Sequence, residues 1–467
     1  MSEPTGCCRA EVAGAPGAYC RNCDLLVGLD GFHVVDVDGG DGRLTVTVET
    51  APAPGGCPGC GVIAHSHGRR VHTLVDTPAF GRPVRVLWRK RTWTCTEHAC
   101  PVGTFTEQDE QLAQPRALLT TRACWWVVRQ LRREHASVAG IARQLGTTWR
   151  TVWRSIAPLL EAMAADESRF DGVRTLGVDE HIWHHVDITE RGPKELTGMV
   201  DLTRDQHGRV RARLLDLVPG RSGAAYRDWL KARGRAFRDR VEVATLDPFH
   251  GYKNAIDDQL EDATAVLDAF HVVKLGTQAV DEVRRRVQQE IHGHRGRKGD
   301  PLYGIRTILR AGAEHLTDRQ KQRLRRAIEA DQRHDEVYVA WQCAQQLRSV
   351  YHQNNPADGR RIAQKIIDSF PTCPIPEIAR LGRTLKQWRQ AFLAYFDTGG
   401  ASNGGTEAIN GLIELHRRIA RGFRNRDQRP TTHAPRPRRT HPRAPELPMG
   451  PLSDEARCAG GGSADAA

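Results

Sequence analysis

Three acidic residues occupy settings that suit metal-assisted chemistry. Asp179 lies in the apolar run RTLGVDEHIW and Asp247 ends the run VEVATLD. Glu407 is near the start of SNGGTEAINGLIELHRR, whose periodicity is helical and for which Ser402 is a candidate N-cap. Carboxylates gathered at one point repel unless cations neutralise them, and hard oxygen ligands suit a pair of Mg2+ ions. Such a pair supplies activation of an attacking water or hydroxyl and stabilisation of a leaving oxygen. Any one Asp in such a run is as readily a surface or turn residue; the surrounding order of elements is what singles these out.

A second constellation is built from sulfur. Cys57-Pro58-Gly59-Cys60 is followed by Cys95 and, five residues on, Cys100. Two cysteines across a Pro-Gly turn can aim both thiolates at one point, and a second pair completes the tetrahedron that structural Zn2+ prefers. The flanking strand-like runs suit a zinc-ribbon or treble-clef arrangement. His98 lies between Cys95 and Cys100, with His65, His67 and His72 nearby, so a site of three Cys and one His stays open, as do four unrelated thiols. Cys7, Cys8, Cys20 and Cys23 are candidates for a second site. Cys124, Cys343, Cys373 and Cys458 are unpaired by spacing.

A third segment, SVAGIARQLGTTWRTVWRSIAPLL, fits a helix-turn-helix. Ala142 is small where two helices cross, Gly146 makes the turn, and Val152 packs the second helix on the first, with Ile141, Leu145 and Ile156 in the core. The second helix then presents Thr147, Thr148, Arg150, Thr151 and Arg154, groups suited to phosphates and base edges in a major groove. Trp149 and Trp153, four apart, read as core, and an ordinary helical hairpin is the alternative for the whole segment.

The elements that must position these groups follow from patterning. Residues 1–30 read as loose and 31–110 as a β-rich zinc-binding domain of short strands. Residues 111–165 read as the helix-turn-helix domain. Residues 170–271 follow the order strand-strand-strand-helix-strand-helix-strand of an RNase H-like α/β core, in which the first and fourth strands are neighbours and would bring Asp179 and Asp247 together. Residues 272–396 are nearly all helical in pattern, interrupted by HGHRGRKGDP and by Pro356, Pro371, Pro374 and Pro376. The basic loop, with Arg295, Arg297 and Lys298, suits phosphate contacts or is simply solvated. Residues 397–425 return a helix to the core, and 426–467, rich in Pro, Arg, Ala and Gly, read as a disordered tail. The fold class is multidomain α+β: zinc-binding domain, helix-turn-helix, RNase H-like core with a large helical insertion, and tail.

Composition agrees. The chain has 467 residues, 68 Lys plus Arg, 56 Asp plus Glu and 12 Cys, for a net charge of +12. The tail carries seven Lys plus Arg against five Asp plus Glu, so most of the positive balance lies upstream, where a nucleic-acid backbone would be held. With 39% hydrophobic residues the chain is long enough for a large core. No run reaches the roughly 18 apolar residues of a membrane span. The opening MSEPTGCCRAEV has neither the basic start nor the apolar stretch of a secretory signal, so a cytoplasmic location without disulfides is expected.

The motifs CPGCG, LGVDEH, VDLT, LVPGRSGAA, TLDPFHGY, LDAFHVVKL, RGRKGDPLYGIR, SNGGTEAINGLIE and RRIARGFRN run in order over about residues 25–425. Together they resemble bacterial insertion-sequence transposases of the DDE type, in the ISL-three group. The resemblance implies a triad of Asp179, Asp247 and Glu407, binding of terminal inverted repeats, Mg2+-dependent cleavage and strand transfer on double-stranded DNA, and a homo-oligomer pairing two element ends at the nucleoid. Asp268 and His271 resemble an accessory C/D-x2-H motif that helps hold DNA or order the site; a capped helix start with a packed His is the alternative. Two positions depart modestly from the group, Pro248 after TLD and Gly405 where the group carries Pro. After GFRN the group continues into an aromatic and Leu-rich close, whereas this chain has RDQRPTTHAPRPRRTHPRAPELP, the composition expected of a shifted reading frame. The alternative function is therefore a catalytically inactive copy acting only as a DNA-binding protein.

Overall fold

The computed structural model describes residues 19–182 and 194–420. Cys7 and Cys8, the Arg-rich tail and the segment after GFRN lie outside the described residues.

The N-terminal sheet contains β1 (Phe32–Asp38), β2 (Leu44–Thr50), β3 (Gly55–Gly56), β4 (Ile63–Ala79), β5 (Arg82–Thr94) and β6 (Thr104–Thr106). Its order is β1-β2-β5-β4-β3, with β6 on β5. Instead of the expected short strands, β4 and β5 form one hairpin of 17 and 13 residues. The polar stretch from His65 to Arg70 hides the alternation, and a bulge between Ser66 and Gly68 shifts its phase. Phe80 and Gly81 close the hairpin with φ of 52° and 72°, the left-handed sense a tight two-residue turn requires. The segment expected to be loose carries a helix, α1 (Arg21–Val27). Asp24 anchors it to β1, accepting the Val34 N–H at 2.7 Å and lying 2.8 Å from His33 Nδ1.

Helices α2 (Thr121–Arg133), α3 (Val138–Gln144) and α4 (Trp149–Ala165) follow. Thr120, Ser137 and Thr148 cap them through their hydroxyls. Ile141, Ala142, Leu145, Val152 and Ile156 share one core with Val127 and Leu131 of α2. Gly146 takes φ of 58°, and a Cβ there would approach Pro83 Cβ to 2.9 Å. Arg85 of β5 donates to the carbonyls of Leu145 and Gly146 at 3.0 and 2.6 Å. The turn between α3 and α4 is thus bonded to the β-hairpin. A second tie centres on the fully buried Asp76 of β4, which accepts from Thr120 Oγ1 at 2.6 Å and from the half-buried Arg122 Nε at 2.9 Å. Arg122 also reaches the carbonyls at the end of α1.

The second sheet has β7 (Thr175–Ile182), β8 (Glu195–Asp201), β9 (Arg213–Pro219), β10 (Val243–Leu246) and β11 (Thr264–Leu267), in the order β11-β10-β7-β8-β9. β7, β8 and β9 are antiparallel neighbours, while β10 and β11 run parallel to β7. Parallel strands need crossovers, supplied by α5 (Gly223–Ala232) with the short α6 (Arg235–Arg238), and by α7 (His250–Gln259). Gly223 and Gly251 let α5 and α7 touch, since a Cβ on Gly223 would lie 2.9 Å from Gly251 Cα.

Next come α8 (Ala269–His292), α9 (Pro301–Gly304), α10 (Asp318–Glu329), α11 (Asp335–Ser349), α12 (Pro356–Ser369), α13 (Pro376–Gln387) and α14 (Arg389–Asp397). Pro356 and Pro376 open their helices at positions where the missing N–H costs nothing. This helical part is not a separate body: one core runs from Phe170 and Val178 of the sheet region to Ile366 and Leu393. α15 (Gly404–Ala420) then returns to β7 and β8. The residue preceding it is Asn403, not Ser402, and the Asn403 carbonyl accepts the N–H groups of Thr406 and Glu407. At the far end of α15, His416 Nε2 lies 2.9 Å from His135 Nδ1, just beyond α2.

Gly177 of β7 makes the docking of α15 possible. A Cβ there would run into Thr406 Oγ1 and come within 2.7 Å of Asn403 Oδ1 and Leu202 Cδ1. Gly177→Ala should therefore lower stability by about 1–3 kcal/mol, read as a drop in melting temperature. An unchanged melting curve would show that α15 does not rest on β7.

Candidate active site

The register of the second sheet brings the two aspartates together. Val178 of β7 pairs with Leu246 of β10, so Asp179 and Asp247 are the next residues on adjacent parallel strands. β10 ends at Leu246 while β7 continues to Ile182, which leaves the flank of β7 open beside Asp179 and Glu180. Carboxylate oxygens of Asp179, Glu180 and Asp247 lie within 4.8 Å of one another. Alternation along a strand sends Glu180 to the opposite face from Asp179, so the sequence pattern does not mark it as a partner. At an open strand flank both side chains reach Asp247. Arg221 pairs with Glu180 at 2.9 Å and sits over the Phe249 ring.

A second group is formed by Asp247, Asp268 and His271, whose ligand atoms also lie within 4.8 Å of one another. Asp268 is the N-cap of α8, accepting the His271 N–H at 3.2 Å. His271 Nδ1 lies 3.1 Å from Asp268 Oδ2, and its Nε2 lies 3.0 Å from Asp247 Oδ2. The capped helix start and the site contact are thus the same structure. Asp247 Oδ1 is buried without a hydrogen-bond partner. A buried carboxylate oxygen left unpaired beside two further carboxylates is the donor set a hard divalent cation takes.

Electrostatics follow from this crowding. Burial, and then the charge of Asp247, push Asp179 up to about 8. Burial works against the imidazolium of His271, yet hydrogen bonds to Asp247 and Asp268 outweigh it and raise His271 to about 10. Burial likewise opposes ionisation of Asp268, and its bonds to His271 and the Asn403 N–H outweigh that and lower it.

Glu407 lies in the first turn of α15, half-buried. Burial, and then Asp268, raise its pKa, with Asp247 acting more weakly. Its oxygens belong to neither close group. The helix is held by Asn403, which is fully buried. Asn403 donates from its N–H to Asp268 at 2.8 Å and from Nδ2 to the Val178 carbonyl at 3.0 Å, and its Oδ1 accepts from Thr245 at 3.0 Å. Asn410 donates to Asp179 Oδ2 at 2.8 Å. The sequence held one unused signal for both: Asn403, Glu407 and Asn410 share a helix face by their spacing of four and three. Gly405 is tightly packed, its Cβ position 2.5 Å from Leu202 Cδ2, so the absent Pro does not leave a gap there.

The cysteines converge at the tip of the first sheet. Cys57 and Cys60 lie between β3 and β4, and Cys95 and Cys100 between β5 and β6. Cys57 Sγ is 3.7 Å from Cys100 Sγ, and Cys60 Sγ is 3.6 Å from Cys95 Sγ. Zinc–sulfur bonds of about 2.3 Å put tetrahedral sulfurs about 3.8 Å apart, so the four fit one zinc ion. His98 is exposed and outside the group, which removes the variant with three Cys and one His. The N–H groups of Gly59 and Cys60 overcome burial and lower Cys57 to about 7. The Glu97 N–H works the other way on Cys95, where burial and the neighbouring thiols win and raise it to about 12. Four thiolates so close ionise together only around a cation. Cys20 is buried at the start of α1 with Cys23 one turn on.

On the helix-turn-helix, Arg150 and Arg154 are exposed, and among the described residues neither forms an ion pair. Thr147 and Thr151 are half-buried, and Thr148 spends its hydroxyl capping α4. Trp149 is not core: it is 39% exposed, stacked on Trp153 with ring centroids 5.8 Å apart. It sits in the first turn of α4, ahead of the turns that face α2 and α3. Among the described residues no helix is long and apolar enough to cross a membrane.

Two outcomes follow. His271 titrates near 6.5 when unfolded and near 10 when folded. Its stabilisation is complete below the lower value and is lost as pH rises through the higher. In magnesium-free buffer the melting temperature should fall across that window, and His271→Gln should flatten the fall; equal slopes would exclude the Asp247–His271–Asp268 network as their source. Cys57→Ser should lose the about one equivalent of zinc expected per chain, measured by metal content; retention of a full equivalent would place the metal elsewhere.

Three family models match the chain. The ISL3 transposase family model matches residues 176–429. The helix-turn-helix domain of transposase family ISL3 matches 110–157, and the zinc-finger of transposases IS204, IS1001, IS1096 and IS1165 matches 53–100. The transposase for insertion sequence element IS1557 of Mycobacterium tuberculosis is 27% identical over 300 residues, 59% of this chain and 64% of the relative's own length. The transposase for insertion sequence element IS1001 of Bordetella parapertussis is 24% identical over 381 residues, 79% of this chain and 86% of the relative. The Drosophila P element transposase strand transfer complex aligns over 68% of this chain and 95% of its own, at 10% identity and a TM-score of 0.34, a likeness too slight to carry an argument. With a zinc-ribbon N-terminus, a helix-turn-helix and a mixed α/β core matched over more than half its length, the chain belongs to the ISL3 transposase family.

Proposed function

We propose that this chain is a DDE-type transposase that binds the terminal inverted repeats of its own insertion sequence and catalyses metal-dependent cleavage and strand transfer. The observation that carries the reading is the juxtaposition of Asp179 and Asp247 on adjacent parallel strands, with the Glu407 helix docked against them. The sheet order, three antiparallel strands continued by two parallel ones through helical crossovers, supports an RNase H-like core. On this reading Asp179 and Asp247 hold Mg2+, Glu407 completes the set, and Asp268 with His271 orders it.

The orphaned oxygen of Asp247 and the crowded carboxylates fit such cations. Mg2+, when bound, supplies activation of the nucleophile and charge stabilisation at the phosphorus. The chain's residues supply the rest. His271 holds Asp247 by one oxygen and leaves the other facing the site. In the first step a water oxygen bonds to phosphorus and the P–O3′ bond breaks, freeing a 3′-hydroxyl. In the second, that hydroxyl bonds to phosphorus of the target strand and displaces a 3′-oxygen there.

Sequence readout falls to the zinc-binding domain and the helix-turn-helix, with Arg150 and Arg154 at phosphates and base edges and Thr147, Thr148 and Thr151 beside them. Arg85 and Asp76 join these modules, so they present one surface to DNA. The basic loop holding Arg295, Arg297 and Lys298 contacts phosphates. Pairing of two element ends calls for a homo-oligomer, by analogy with other transposases, acting in the cytoplasm at the nucleoid.

Asp247→Asn should abolish strand transfer on inverted-repeat DNA and leave end binding intact, assayed by gel shift and by joining of labelled ends. Equal strand transfer by the two proteins would overturn the triad. End binding by wild type with no cleavage at any Mg2+ concentration would mark a DNA-binding protein only.

A further inference from the structure

The helix carrying Glu407 touches the first aspartate through another residue. Asn410 Nδ2 lies 2.8 Å from Asp179 Oδ2 and 3.5 Å from the Glu180 carbonyl. The other oxygen of Asp179 accepts the Glu180 N–H at 2.7 Å. With one donor on each oxygen, the carboxylate cannot turn about its last bond without breaking a hydrogen bond. The contact has room because Asp179 faces Gly198 across the β7–β8 pair. A Cβ on Gly198 would lie 3.3 Å from Leu217 Cδ2 and 4.0 Å from Asn410 Oδ1, so Gly198 borders the space Asn410 occupies.

Asn410 is also placed by the helix. It lies seven residues after Asn403 and three after Glu407, and the same face continues to Ile413, buried with Leu196 and Leu217 of β8 and β9. The register of α15 is thus held before Asn410 by the three bonds of Asn403 and after it by an apolar contact.

We propose that Asn410 is a positioning residue, which fixes the Asp179 carboxylate as α15 brings Glu407 to the site, so that one docking event sets two of the three carboxylates. The proposal rests on the transposase reading above. Loss of the amide leaves Asp179 in place but held by the Glu180 N–H alone, and a metal ligand that lacks a supporting hydrogen bond binds less tightly, by about tenfold or more.

The test is Mn2+ binding to the full, zinc-loaded chain, read from the electron paramagnetic resonance of free Mn2+, with melting temperature and inverted-repeat binding measured in parallel. Asn410→Ala and Asn410→Leu should weaken Mn2+ binding about tenfold, with wild-type melting and end binding. If the Ala variant melts lower, the Leu variant, which keeps the volume, carries the comparison. Wild-type Mn2+ affinity in both variants, while Asp247→Asn loses Mn2+, would overturn the role of Asn410 alone. Undiminished Mn2+ binding by Asp247→Asn would overturn the carboxylate site itself, and this proposal with it.

Discussion

Like charges held together in a buried place constrain everything around them. Oxygens of Asp179, Glu180 and Asp247 lie within 4.8 Å of one another. At the effective dielectric of a protein, each ionised pair at that separation repels by about 3–4 kcal/mol. Without a cation the molecule answers in three ways. Asp179 holds its proton to about 8, Arg221 pairs with Glu180, and His271 bridges Asp247 and Asp268. Each answer comes from a different element, and each is local. A cation would answer all of them at once. The site is therefore arranged around charge that has to be neutralised, and the scaffold's task is to stop the carboxylates from relaxing apart.

That task explains where the rigid contacts lie. β7 is central in its sheet, paired with β10 as far as Val178 and with β8 from Leu176 to Ile182, so the buried Asp179 is held from the β8 side. Asp268 is tied down by helix capping and by the Asn403 N–H. The helical part between β11 and α15 shares its core with the sheet, so the long excursion of chain ends where it began, with Ala394 and Ala401 packed against Val266 of β11. A loosely attached insertion could not deliver α15 to β7 within hydrogen-bonding tolerance.

The N-terminal half meets a different constraint. The tip of the β-hairpin has few apolar residues to bury, and four sulfurs stand where a core would be. The tetrahedral fit of those sulfurs lets a single ion replace hydrophobic packing. Lower on the same hairpin, Arg85 and Asp76 bind the helices directly, one at the carbonyls of the α3–α4 turn and the other through Thr120 and the half-buried Arg122. An ion pair with one buried partner contributes little net stability by itself, and here the several hydrogen bonds of Asp76 and Arg122 tie β4, α1 and α2 together. If both modules contact DNA as proposed, that fixed arrangement matters more to their joint surface than stability does.

Much of this was legible in the residues. Apolar runs separated by turn signals marked β7 through β11 and their crossover helices, because buried strands and amphipathic helices differ in period. Cys57, Cys60, Cys95 and Cys100 were legible from spacing, since two close cysteine pairs on neighbouring hairpin turns give four thiolates that can meet at one point. Asp179 and Asp247 stood out by their places on strands. Other features depend on which faces meet, and no local pattern encodes that. The 17-residue strand β4 was hidden by polar residues that suit a hairpin covered on one side only. Trp149 looked like core because Trp is apolar, and it is exposed because the helix-turn-helix core had already closed on Val152 and Ile156. Glu180 joins the carboxylate group only because β10 stops beside it. Asn403 and Asn410, ordinary polar residues in a helical repeat, acquire their partners across separations of 225 and 231 residues. The sequence by itself determined most of the elements of the second sheet, the spacing of Cys57, Cys60, Cys95 and Cys100, and the strand positions of Asp179 and Asp247, since these rest on local periodicity and short spacing. Only the tertiary structure decided which side chains hold those acids in place, because a hydrogen bond between distant segments exists only once both have been buried against each other.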